Sequence, residues 1–117
     1  MSYLNVNAVT ERSPEWFAQR VILGTEADNA SDRLRAEMHA LQISKRERAY
    51  LTHKLSALDA LSPTSPEGRD GLAMQLAEAR ACVAFHDAEI ARIEKVLPSL
   101  VLLVNSARLE YDRHCHT

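Results

Sequence analysis

The sequence predicts an all-α protein: a long antiparallel helical hairpin, coiled-coil-like, kinked near Pro98 and completed into a helical bundle by oligomerisation. Three observations carry this expectation. From Leu72 to Tyr111 a residue suited to burial recurs in strictly alternating steps of four and three. The triplet Ser-Pro-Glu, which starts helices, occurs twice, at 13–15 and 65–67. The composition is rich in alanine, leucine, arginine and glutamate, and aromatics make up only 5%, which favours helix over sheet.

Residues 1–12 read as an extended arm. Leu4, Val6 and Ala8 alternate with Asn5 and Asn7, but no second strand pattern exists for them to pair with. Ser13 then caps a helix expected over 14–61, with Pro14 at its first position and Glu15 in its first turn. Its apolar stripe is Trp16, Leu23, Ala27, Ala30, Leu34, Met38, Leu41, Arg48, Leu51, Leu55 and Leu58. The stripe weakens where Lys45, Arg46, Glu47 and Arg48 interrupt it. Gly24-Thr25 is a candidate break, because Thr25 can cap a fresh start ahead of Glu26 and Asp28.

A turn at 62–65 separates this helix from a second, expected over 66–113 and kinked at Pro98. So short a connection makes the helices antiparallel neighbours, each roughly 70 Å long if straight. The second helix carries the full seam: Leu72, Leu76, Ala79, Val83, His86, Ile90, Ile93, Leu97, Leu100, Val104, Ala107 and Tyr111. Counting outward from Thr64 sets Pro98 opposite about Ala30 and Val104 opposite about Gly24. The arm and the hairpin, 13–117, make one domain.

Length and charge narrow the function classes. The chain has 117 residues, 46% of them apolar, and a formal charge of −2, so neither a polyanion nor a polycation is an obligatory partner. Cys82 and Cys115 are too few for a disulfide framework. The start of the chain lacks the pattern of a signal peptide. The longest apolar run, Val96 to Val104, is interrupted by Pro98 and Ser99 and is shorter than the roughly 20 residues that span a bilayer. The expectation is a protein of the cytoplasm with no membrane association.

No residue set spells out a reaction. No G-x-S-x-G, C-x-x-C or H-E-x-x-H pattern occurs, so the chain is expected not to be an enzyme and to hold no cofactor. His114, Cys115 and His116 are adjacent and terminal, whereas structural zinc sites use separated ligands on ordered backbone. His86 lies in the seam and reads as a core residue hydrogen-bonded across it, able to set register. A small-ligand pocket around His86 and Arg80 is one alternative. Another is a nucleic-acid or acidic-partner patch at Lys45, Arg46, Arg48 and Lys54; no aromatic platform accompanies it, and solvated faces or pairs with acids such as Glu78 explain it more simply.

The apolar residues left off the seams are more informative. Two helices bury a single seam and give a thin core. Phe85, Val101, Leu102 and Leu103 on the second helix, with Trp16 and Phe17 on the first, are the expected protein interface. An alanine strip, Ala73, Ala77, Ala84 and Ala91, runs beside the seam. The function expected from this is non-catalytic: a self-assembling structural or adaptor subunit, comparable at the level of architecture to virion, secretion-system or inhibitor proteins. Its partners would be further copies of itself, with a heterologous protein as a second partner.

Overall fold

The computed structural model describes residues 12–117. The arm expected over 1–12 therefore lies, except for Arg12, outside the described residues. Two helices account for nearly all the rest: α1, Pro14–Asp59, and α2, Pro66–Cys115. No strand occurs among the described residues. The protein is an all-α helical hairpin.

Both helix starts form as their triplets predict. The Ser13 hydroxyl accepts from the Trp16 amide at 3.1 Å, and the Ser65 hydroxyl accepts from the Gly68 amide at 3.0 Å. Each satisfies one of the amides that a helix leaves without an internal partner. At the far end of α2, the His116 ring Nδ1 lies 2.6 Å from the Asp112 carbonyl, and the Thr117 hydroxyl donates to the His114 carbonyl at 2.6 Å. The last carbonyls are thus satisfied by the tail itself, and Arg113 and His114 sit in the last turn, where the helix dipole favours positive charge.

Neither expected irregularity breaks its helix. α2 continues through Pro98 without interruption. α1 likewise runs on through Gly24 and Thr25 without the break that was possible there. Gly24 has a different role: a Cβ built on it would stand 3.3 Å from Cε2 of Tyr111. The missing side chain makes room for that ring. The same contact corrects the expected register, because Gly24 meets Tyr111 rather than Val104, two turns away. Counting outward from the turn assumes helices that end flush. The non-helical stretch 60–65 does not produce that alignment.

The chain divides into two compact units, with boundaries at Arg35/Ala36 and at Pro98/Ser99. The terminal unit is Met1–Arg35 with Ser99–Thr117, and the turn unit is Ala36–Pro98. In each, a stretch of α1 packs antiparallel on a stretch of α2.

Every one of the twelve seam positions of α2 is buried or half-buried. Between Leu72 and Tyr111 only Glu89 and Val96 join them. α1 keeps the same alternation more strictly than its hydrophobicity suggests. Its inward positions include Glu37 and Ser44, and Arg48 lies in phase although exposed. Met38, expected in the stripe, is instead 51% exposed. Helical phase decides this: position 37 continues the series from Ala30 and Leu34 to Leu41, and position 38 lies about 100° away from it.

The polar inward positions of the turn unit meet polar partners. Glu37 accepts from Arg92 at 3.3 Å, Ser44 lies 3.4 Å from Nδ1 of His86, and Arg48 pairs with Asp87. Lys45 pairs with Glu94 at 3.6 Å. Hydrogen bonds that Arg92 donates to Glu89 first, and to Glu37 second, raise its pKa above the ordinary value. These groups break the apolar seam yet leave no buried side-chain polar atom without a partner among the described residues.

Candidate interaction surface

Helical rotation explains which apolar residues are left outside. Leu100 and Val104 are both buried in the seam of the terminal unit. One turn of α2 separates them, so the three residues between must circle the outside. Those three are Val101, Leu102 and Leu103, and Leu102 is 67% exposed. On α1 the inward Leu23 and Ala27 leave Val21 and Ile22 exposed, as Trp16 leaves Phe17. The terminal unit therefore shows apolar side chains on both of its helices, with Leu109 exposed as well.

Trp16 differs from the other residues expected at an interface. It is half-buried and held within its own unit. Its ring stacks on that of His114, centroids 5.0 Å apart and planes 22° apart. Its indole N–H donates to the Thr117 hydroxyl at 3.2 Å, and Nε2 of His114 lies 2.8 Å from its carbonyl. The Arg12 guanidinium lies 4.0 Å from the ring centroid, a cation–π contact. Beside it the Tyr111 hydroxyl accepts from Nε of Arg20 at 3.5 Å. That bond, the largest influence, raises the pKa of Arg20 above its ordinary value. This cluster closes the outer end of the unit and fixes Phe17, whose ring stands edge-on to Trp16 at 4.9 Å.

A groove of about 400 Å³ runs between α1 and α2 on one face of the terminal unit. Ala30 and Ala107 form part of its lining, with Glu26 and Arg33 along α1 and Leu103 and Glu110 along α2. Sequence reading missed it. Only the pairing of the two helices, with an inward alanine on each, opens a groove there. Ala30 and Ala107 each stand in their own helix's stripe, but the stripes alone do not show where the two meet.

In the turn unit, Phe85 is 62% exposed and stands edge-on to His86, centroids 5.3 Å apart. The alanines Ala73, Ala77, Ala84 and Ala91 are all exposed. The basic residues are not one free patch. Lys45 is paired with Glu94 and Arg48 with Asp87, whereas Arg46 and Lys54 have no ion pair among the described residues. The expected acid Glu78 is not their partner. His86 and Arg80 are held apart: His86 faces Ser44, and Arg80 lies 3.8 Å from Asp59.

Among the described residues no three His, Cys, Asp or Glu side chains group as metal ligands. No helix among them is long and apolar enough to cross a membrane. No family model, no curated protein and no solved structure matches this chain.

Proposed function

We propose that the chain is a non-catalytic protein–protein interaction protein, a helical structural or adaptor subunit that assembles with copies of itself. One imbalance supports this reading. Among the described residues the core has a single large side chain that is fully buried, Ile93, and three of the seven buried apolar residues are alanines. Outside the core stand thirteen large apolar side chains among the described residues, seven of them in the terminal unit. A protein whose apolar surface is better developed outside than inside gains stability by covering it, at up to about 2 kcal/mol for each leucine removed from water.

Leu102→Asp and Leu103→Asp test this reading. Both positions are exposed, so either change is expected to leave helix content as it was while reducing the mass in solution toward the 13.1 kDa of one chain. Light scattering after size exclusion reads the mass, and circular dichroism reads the helicity. Variants that kept the assembled mass would place the contact elsewhere and remove the main support for the proposal.

A further inference from the structure

We propose that two copies join groove to groove through the terminal unit, reversed end to end, so that Arg33 of each copy lies against Glu26 and Glu110 of the other. The inference rests on the self-association proposed above and says which face joins and in which direction.

Charge is what selects the occupant. In this unit Gly24 lies against Tyr111 and Ser31 against Arg108, so the two helices run antiparallel here. Glu26 and Glu110 therefore share one end of the groove, and Arg33 stands at the other, at the level of Leu103. Two turns of α1, roughly 10 Å, separate the two ends. None of these three charged residues is ion-paired among the described residues. The floor between them is small and apolar, with Ala30 buried and Ala107 half-buried, which lets another helix come close.

A partner of uniform charge meets the wrong sign at one end of such a groove. A second copy turned end to end meets the right sign at both. Two kinds of two-fold axis could set one groove on another. An axis parallel to the helices sets Glu26 of one copy against Glu110 of the other, like on like. An axis lying in the contact plane across the helices, near Ala30 and Ala107, sets the basic end of each copy on the acidic end of the other. Like charges face to face are strongly unfavourable at an interface, so the second arrangement is the one selected. The charged ends lie at the rim, where they fix direction. Leu103, with the exposed Ile22 and Leu102 nearby in sequence and phase, supplies apolar area to cover.

Two charge variants test the arrangement: Arg33→Glu alone, and Glu26→Arg combined with Glu110→Arg. Each places like charges together at both ends, and each is expected to weaken association at least about tenfold. Mixed one to one, they oppose unlike charges again, and the mixture is expected to recover the mass of the native assembly. Circular dichroism on each variant checks that it is folded. If both variants alone keep the native mass, the reversed groove-to-groove contact is wrong, although self-association stands. If they dissociate and do not recombine on mixing, the reversed arrangement is wrong. If the unmodified chain is a monomer at every concentration, this inference and the proposed function fall together.

Discussion

Ile93→Ala is expected to cost more stability than any other single truncation in this chain. Ile93 is 0% exposed, the only large side chain among the described residues buried so completely. Its neighbours in sequence explain why. Arg92 reaches across to Glu37 and Glu94 reaches across to Lys45, so a pair bridges the helices on each side of it. Truncation leaves a cavity in a two-helix core that has little else to fill it. The expected loss is about 2–5 kcal/mol, a large part of the stability of a small domain. Thermal unfolding followed by circular dichroism, at one fixed protein concentration, should show a midpoint lower by about 10 °C or more. A shift of only a degree or two would mean that Ile93 is not the centre of the core.

Gly24→Val is expected to destabilise by about 1–2 kcal/mol, although glycine inside a helix is ordinarily a weakness that substitution relieves. The Cβ of valine would stand 3.3 Å from the Tyr111 ring, and its branched methyls would reach further. Tyr111 would have to move, and its hydroxyl accepts the hydrogen bond of Arg20. Overpacking of this kind costs about 1–3 kcal/mol, which exceeds the few tenths gained in helix propensity. The sign should reverse once the ring is removed: in a Tyr111→Ala background, Gly24→Val is expected to stabilise. A double-mutant cycle in urea reads this coupling directly. Additive effects would show that Gly24 and Tyr111 do not meet.

The contrast between these two residues shows what the sequence could reveal. The seam holding Ile93 was legible because its members are almost all apolar and rotation along a helix admits only one such face. Both helix starts were legible from their Ser-Pro-Glu triplets, since a capping hydroxyl acts locally. Gly24 offered a possible break because glycine looks the same in sequence whether it ends a helix or admits a ring from a residue far along the chain. The middle of α1 was misread for a related reason. Met38 is more apolar than Glu37, but Glu37 has Arg92 to meet it, and that partner is visible only after the helices pair. Ser44 opposite His86 is another such case.

The candidate surface divides along the same line. Val101, Leu102 and Leu103 follow from phase alone, because Leu100 and Val104 take the two inward places. Trp16 was also named from its apolar character, but its stack on His114 depends on a contact with the other end of the chain. The groove floored by Ala30 and Ala107 required knowing which stretches of the two helices face each other. Local rules therefore identified the residues left outside, and long-range pairing determined the shape they stand on.

Absolute mass in solution, measured by light scattering across a wide range of concentrations, tests the central claim most directly. A mass at a fixed multiple of 13.1 kDa, holding down to low concentration, is the predicted result. A mass of one chain at every concentration would contradict self-assembly.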